Sequence, residues 1–436
     1  MKLIVSTTEK LSGQVLVPAS KSHSIRALLL ALLANGQSQL ENILDCADTV
    51  ATRAVCEALG AKLSVTNRSD ASGGVDIIVE STGTPIAPIK NNLHTDNSGI
   101  TTRFILPILG LRADCSVPVI LDCGAQMRSR PIKPLVDSLQ NLGIKIKQNI
   151  STIYPLEIQG ELIGGDTIVD GATSQFLSAL LLTLPLVPLD SVLTVNRLNE
   201  RPYAEMTAYW LNEQGIKYSW ERKREQDIIK ITGRQSYRPF HKIIPGDFSS
   251  ASYLIAAGVL RGGEIILSGL DFNDAQGDKR LVEILIAMGA NITRQENKLI
   301  VRGGSKLHGL KIDCNDIPDV VPTLAVIATT ATGKTELINV PQARLKETDR
   351  LRSMAEGLTK MGAKITELSD GLIIEPSNLQ GASVNGYGDH RTVMALALAG
   401  CIASGQTEIS TAESINKTFP NYVALMQRLG AKCNLI

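Results

Sequence analysis

Six times along the chain an amphipathic stretch ends in the same short phrase: ALGAKL (to Leu63), NLGIKI (to Ile146), EQGIKY (to Tyr218), AMGANI (to Ile292), KMGAKI (to Ile365) and RLGAKC (to Cys433). Their glycines, Gly60, Gly143, Gly215, Gly289, Gly362 and Gly430, follow one another at spacings of 83, 72, 74, 73 and 68 residues. A period of this size marks a repeated supersecondary unit, so the chain is restricted to folds assembled from copies of one such unit. Each phrase closes a helix-like pattern such as DTVATRAVCEAL. Glycine just past the pattern supplies the left-handed conformation that ends a helix, and a β-type stretch follows it.

A more apolar segment precedes every amphipathic one: IRALLLALLANG, RFILPILGL, FLSALLLTLPL, ASYLIAAGVL, VVPTLAVIATTATG and RTVMALALAGCIASG. Segments apolar all round are expected to be buried helices. Alternating runs such as GGEIILSGL and GQTEISTA lie between the two helices and predict a strand there. The unit therefore reads helix, strand, amphipathic helix, strand, strand. Short polar residues open the buried helices and are suited to cap them: Ser20 and Ser22, Asn97 and Ser98, Thr173 and Ser174, Ser249 and Ser250, Asp316 and Asp319, and Asp389. From Ser20, Asn97, Ser174, Ser249, Asp319 and Asp389 to the repeat glycine the distances are 40, 46, 41, 40, 43 and 41 residues, so two independent markers keep one phase.

The sixth copy is cut short, since only Ala431 to Ile436 follow Gly430. The β-like runs Leu3-Ile4-Val5 and Val15-Leu16-Val17 can complete the C-terminal half. Residues 1–20 with 245–436 are thus expected to form one discontinuous domain of three units, and residues 21–244 an inserted domain of three more. That agrees with the two or three domains a chain of 436 residues suggests. Two crossings, near Ser20 and Pro245, would join the halves as a hinge, and ligands commonly bind in clefts between domains.

Composition narrows the function. Lys and Arg number 44 against 43 Asp and Glu, a net charge of +1, which lacks the global field of nucleic-acid or membrane-surface binders. Seven cysteines without a C-x-x-C pair or a spaced Cys/His set point to reduced thiols, not to a disulfide framework or a zinc site. No H-E-x-x-H occurs among the five histidines. The N-terminal apolar run is too short for a signal peptide, and the most apolar stretch, Leu177 to Leu189, is interrupted by Ser178, Thr183, Pro185 and Pro188. A cytoplasmic, monomeric protein without metal or cofactor, nucleic acid or membrane partner is expected.

Charged residues sit where buried helices begin: Lys21 and Arg26 in SKSHSIR, Arg103 in DNSGITTR and Arg391 in GDHR. A helix start offers free N–H groups and a positive dipole end, which together bind anions. Taken singly, each is as well explained by capping, and RLKETDRLR (Arg344 to Arg352) by a solvated helix face. MRSRP, with Arg128 and Arg130, and NKTFP, with Lys417, are weak alone. Gly333-Lys334-Thr335 lacks the glycine of a P-loop, because Ala328 stands at that position, and no G-x-G-x-x-G occurs. Arg222-Lys223-Arg224, bracketed by Glu221 and Glu225, reads as a solvated turn.

Together SKSHSIRALLLALLANG, DNSGITTR, RSRPI, TSQF, GDFSSASY, IPD, RLKETDRL, GDHR and NKTFP, from Lys21 to Pro420, resemble the 5-enolpyruvylshikimate-3-phosphate synthase family. The resemblance implies a two-domain inside-out α/β barrel, each domain made of three βαβαββ-type units. It also implies transfer of the enolpyruvyl group of phosphoenolpyruvate to the 5-hydroxyl of shikimate 3-phosphate, releasing phosphate by addition and elimination. Two anionic substrates demand a dense cationic site, and the arginine fork suits carboxylate and phosphate better than lysine. By the motifs, Lys21, Arg130, Arg350, Arg391 and Lys417, with the backbone at Gly99, would hold phosphoenolpyruvate. Thr173 and Ser174 would take the shikimate phosphate. Ser22, Arg26, Gln175, Tyr203, Gln342 and Lys346 would hold the rest of the acceptor. Glu347 would be the acid and Asp319 the base, with Lys21 and His390 assisting.

Four residues depart from the family pattern: Ile100 for Thr, Phe104 for Pro, Gln342 for Asn, and Glu200 for a phosphate-binding Ser. The bulk of Ile100 and Phe104 bears on the helix carrying Gly99 and is expected to alter binding of the inhibitor glyphosate. A carboxylate at 200 would repel a bound phosphate, so Glu200 is expected to turn away or to be screened by Arg201. The competing readings are a UDP-N-acetylglucosamine enolpyruvyl transferase, which shares the fold but lacks the KETDR and GDHR pair, a phospho-ligand binder without catalysis, and an RNA-processing enzyme.

Overall fold

A computed structural model describes residues 1–70, 73–149, 153–223 and 226–436. Arg224 and Glu225 of the basic turn lie outside the described residues. The chain divides into two compact units: Met1–Ser20 with Ser69–Gly73 and Pro245–Ile436, and Lys21–Arg68 with Gly74–Ile244.

Every repeat folds the same way. In the unit of Lys21–Arg68 and Gly74–Ile244 the strand pairings give three four-stranded sheets. Their orders are His241–Ile243, Asn35–Leu44, Gly74–Thr82, Lys62–Asn67; then Asn92–His94, Val119–Asp122, Leu156–Gln159, Lys145–Lys147; then Gly165–Asp170, Ser191–Asn196, Gln226–Ile231, Tyr218–Arg222. The first pair in each sheet is parallel and the others antiparallel. Parallel neighbours need a crossover, and the buried helix supplies it in the second and third sheets. In the first sheet the parallel edge, His241–Ile243, comes from the far end of the segment.

The other unit repeats the scheme and borrows twice from the N-terminus. Gly13–Leu16 lies parallel to Glu264–Ser268, and Lys2–Ser6 lies between Gln406–Ser410 and Lys432–Leu435, with Leu3 opposite both Ile409 and Leu435. The six sheets are separate, so the barrel expected from the resemblance is in each unit a set of three open sheets and not a closed ladder. Strands such as Glu264–Ser268 alternate buried residues with exposed or half-buried ones, as a sheet covering a core on one face must.

Inside lie the apolar helices: Lys21–Leu33, Gly99–Ile108 and Ser174–Thr183 in one unit, Phe248–Leu260, Val321–Ala328 and His390–Ile402 in the other. Every residue from His23 to Leu33 is buried, so that helix has no wet face. The last three pack on one another pairwise. Each buried leucine there contributes roughly 1.5–3 kcal/mol by leaving water. All six repeat glycines have positive φ. At Gly60 a Cβ would also stand 2.7 Å from the Ala87 carbonyl oxygen, so conformation and space both require glycine.

The helix starts are where sequence and structure part. Ser98, Thr173 and Asp389 do cap their helices, accepting from Thr101 N, Gln175 N and Arg391 N. The fourth helix is capped by Asp247, which accepts from the backbone of Ser249 and Ser250, so those two serines are first-turn residues and not caps. Asp319 is not the cap residue of the fifth helix: it lies in a short turn, Pro318–Val320, and Val320, which precedes the helix, makes no side-chain cap bond. No helix among the described residues is long and apolar enough to cross a membrane.

Candidate active site

In the discontinuous unit, Arg350 begins the helix Arg350–Lys360 and points inward, 1% exposed. It gives one hydrogen bond to each of three carboxylates: Nε to Asp389 Oδ2 (2.8 Å), Nη1 to Asp319 Oδ1 (2.6 Å) and Nη2 to Glu347 Oε2 (2.7 Å). Two further cations close the cluster. Arg391 Nη2 donates to Asp319 Oδ2 at 2.6 Å, and Lys417 Nζ lies 3.3 Å from Glu347 Oε1. The solvated-face reading of RLKETDRLR therefore fails at Arg350 and survives at Arg352, which pairs with Glu356 in water.

Electrostatics fix the charges of this cluster. Burial alone would lower the pKa of Arg350, but Asp389, Asp319 and Glu347 outweigh it and hold the group above the ordinary arginine value. Burial would raise Asp319, yet Arg391, Arg350 and then Lys346 keep its carboxyl well below the usual range. Asp319 is thus a carboxylate, as a base must be. Asp278, 2% exposed, accepts from the Ser249 hydroxyl and goes the other way: burial first, then the charge of Asp319, push it up to about 7. His390 is buried with Nδ1 3.7 Å from Asp389 Oδ1, beyond hydrogen-bond reach. Gln342 is buried; its Nε2 donates to the Asn315 carbonyl (2.8 Å), while its Oε1 has no hydrogen-bond partner.

The inserted unit carries the rest. Lys21, first residue of its helix, donates from Nζ to Asp48 Oδ2 at 2.9 Å. Arg26 is 1% exposed and donates to four neutral acceptors: Thr207 Oγ1 (2.8 Å), the Ser22 carbonyl (2.9 Å), Ser178 Oγ (3.4 Å) and the Tyr203 carbonyl (2.8 Å). Burial lowers its pKa to about 9, with only a weak opposing contribution from Tyr203. No carboxylate of the described residues pairs with it. An anion brought by a ligand would supply the missing counter-charge.

Gly99 opens the second buried helix directly under a guanidinium: a Cβ there would lie 2.4 Å from Arg130 Nη1 and 3.1 Å from Arg103 Nη1. Arg103 in turn donates to Gln175 Oε1 at 2.7 Å. Ile100 and Phe104 are both buried, the Phe104 ring 5.1 Å from the Arg26 guanidinium carbon. Glu200 corrects the expectation outright. It neither turns away nor meets Arg201: Thr173 Oγ1 and Ser174 Oγ donate to its Oε2 at 3.3 and 3.1 Å, while Arg201 forks onto Asp227 at 2.5 and 3.2 Å.

The structure thus joins Asp319, Glu347, Arg350, Arg391 and Lys417 in one cluster of the discontinuous unit, while Lys21, Arg26, Gly99 with Arg130, and Thr173 with Ser174 belong to the inserted unit. Sequence reasoning missed Asp278 and Asp48, and read Asp389 only as a cap. An acid 27 residues from its lysine, or 29 from its serine, leaves no local pattern to find.

Two units of repeated α/β structure, one of them carrying a buried cluster of acids and cations, define the class of the protein by its fold. The family described as EPSP synthase (3-phosphoshikimate 1-carboxyvinyltransferase) matches residues 5–426, and the chain belongs to that family. Relatives named 3-phosphoshikimate 1-carboxyvinyltransferase from Acetivibrio thermocellus and Ruminiclostridium cellulolyticum are each 44% identical, over 97% and 98% of both chains respectively. The EPSP synthase of Acinetobacter baumannii superposes with a TM-score of 0.81 at 23% identity, over 100% of this chain and 99% of that one. The enolpyruvyl transferase NikO of Streptomyces tendae superposes with a TM-score of 0.79 at 16% identity, over 99% and 98%. These two likenesses concern the fold alone.

Proposed function

We propose that the chain transfers the enolpyruvyl group of phosphoenolpyruvate to the 5-hydroxyl of shikimate 3-phosphate and releases phosphate. The observation that carries this is the Arg350 cluster, in which two carboxylates suited to proton transfer, Asp319 and Glu347, share one buried cation. In the addition, the 5-hydroxyl oxygen bonds to C2 of phosphoenolpyruvate as its proton passes to Asp319, and the methylene carbon takes a proton from Glu347. Elimination returns a proton from the new methyl group to the Glu347 carboxylate, restores the double bond and breaks the C2–O bond to phosphate, which takes up the proton held by Asp319 as it leaves.

To act as the acid Glu347 must carry a proton, and its oxygens are engaged by Arg350 and Lys417. Phosphoenolpyruvate would draw those cations to its own phosphate and carboxylate and so release Glu347 for protonation. Lys21, Arg130 and Arg391, with the backbone at Gly99, would share the same anion. The acceptor would lie on Thr173 and Ser174 through its phosphate and on Ser22, Arg26, Gln175, Tyr203, Gln342 and Lys346 through its ring and carboxylate. The neutral surroundings of Arg26 and the unpartnered Oε1 of buried Gln342 support that reading, since buried polar groups normally have partners. His390 and Lys21 would stabilise developing charge. By this assignment the discontinuous unit supplies the acid and the base, and the inserted unit most of the contacts to the acceptor. We assign the protein to the cytoplasm as a monomer.

Phosphate release measured with both substrates tests the reading, with UDP-N-acetylglucosamine as the competing acceptor. Release that requires shikimate 3-phosphate is the expected result; release only with the nucleotide sugar would overturn it.

A further inference from the structure

The loop that ends in Glu200 is built to deliver a carboxylate to the start of the third buried helix. Two backbone hydrogen bonds staple it to the loop before Thr173: Gly171 N to the Asn196 carbonyl and Asn199 N to the Gly171 carbonyl, both 2.9 Å. Gly171 can have no side chain, since a Cβ would stand 2.2 Å from the Asn196 oxygen. Glu200 itself is held at φ 56° and ψ 37°, a left-handed conformation that is strained for a residue with a Cβ. It is 2% exposed, and the hydroxyls of Thr173 and Ser174 donate to one of its oxygens. The neighbouring cation does not compensate it. Arg201 is committed to Asp227, which also accepts from Trp220 Nε1 at 2.9 Å.

We infer that Glu200 is a built-in stand-in for the acceptor's phosphate: its carboxylate holds the hydroxyls of Thr173 and Ser174 and must leave them before a phosphorylated acceptor binds. The inference rests on the reading of Thr173 and Ser174 given above. Its consequence is specificity. A phosphate oxygen and a carboxylate oxygen are alternative acceptors for the same two hydroxyls, and like charges side by side repel, so Glu200 weakens binding of the phosphorylated acceptor in particular. A hydroxyl in place of the phosphate could instead donate to Glu200. The chain therefore discriminates shikimate 3-phosphate from shikimate less sharply than the same site would without this carboxylate.

The test compares wild type, Glu200→Gln and Glu200→Ser as full chains. Glutamine keeps the size and removes the charge; serine also removes the reach. Binding of shikimate 3-phosphate and of shikimate is measured by titration calorimetry, and phosphate release is followed at saturating phosphoenolpyruvate. Folding of each variant is checked by its melting temperature, and either folded variant suffices. At least tenfold tighter binding of shikimate 3-phosphate, with shikimate unchanged or weaker and the gain appearing in KM and not in kcat, is the expected result. Turnover by all three proteins with no gain in acceptor affinity would overturn this inference alone. Absence of both turnover and shikimate 3-phosphate binding in wild type would overturn the functional reading and the inference together.

Discussion

Replacing Arg350 by Met keeps the bulk and removes the charge that three carboxylates share. Asp389 has a side chain 0% exposed, Glu347 8% and Asp319 17%, so water can reach at most part of what is uncovered. Each acid keeps at least one partner: Asp389 the Arg391 backbone N–H, Asp319 the Arg391 guanidinium, and Glu347 the Lys417 ammonium. The loss is therefore not three independent penalties but about that of breaking one buried pair, roughly 3–5 kcal/mol. That is a large part of a domain stability of about 5–15 kcal/mol. The assay can tell the two units apart, because both tryptophans, Trp210 and Trp220, belong to the inserted one. In urea, circular dichroism should show a transition moved to lower denaturant for the discontinuous unit, while tryptophan fluorescence moves less. Acid should narrow the deficit. In wild type the depressed pKa of Asp319 adds stability above its unfolded value of 3.8, lost as the pH falls through the folded value. Without Arg350 the same carboxyls gain from protonation, so the variant should lag least near pH 5. A variant within about 1 kcal/mol of wild type at pH 8 would refute the claim that these acids depend on Arg350.

Glu347→Gln should keep substrate binding and lower phosphate release by about 10²–10⁴-fold, the usual worth of a placed acid; turnover within threefold of wild type would remove Glu347 from that role. Gly99→Ala puts a Cβ 2.4 Å from Arg130 Nη1, so the guanidinium must shift. KM for phosphoenolpyruvate should rise by about tenfold with a melting temperature near that of wild type, and an unchanged KM would show that Arg130 does not hold that substrate. Asp278, pushed up from 3.8 to about 7, binds its proton more tightly when folded, so its contribution to stability is largest in acid and is lost as the pH rises toward about 7. Unfolding of wild type and Asp278→Asn from pH 5 to pH 8 should show wild type losing ground to the variant, and parallel curves would contradict the raised value.

Much of the fold is local and so was legible in the order of residues. A buried helix is apolar on all sides, an amphipathic one ends at glycine, and both properties are visible in segments such as IRALLLALLANG and ALGAKL without knowledge of what they touch. The catalytic candidates were legible only in combination, because a charge at a helix start looks the same whether it caps, binds or faces water. Asp319 shows the difficulty. Its position before an apolar segment suggested a cap, and only the approach of Arg350 and Arg391, 31 and 72 residues away, reveals a paired carboxylate.

By itself, then, the sequence determined the repeated unit, its buried helices and the glycines between them, since periodicity and backbone preference act over a few residues. Tertiary structure alone decided the states of the charges: which acid is ionised beside which cation, that Asp278 is driven toward its neutral form, and that Glu200 takes the hydroxyls of Thr173 and Ser174. Electrostatic energy depends on distance and burial, and neither is written in residue order.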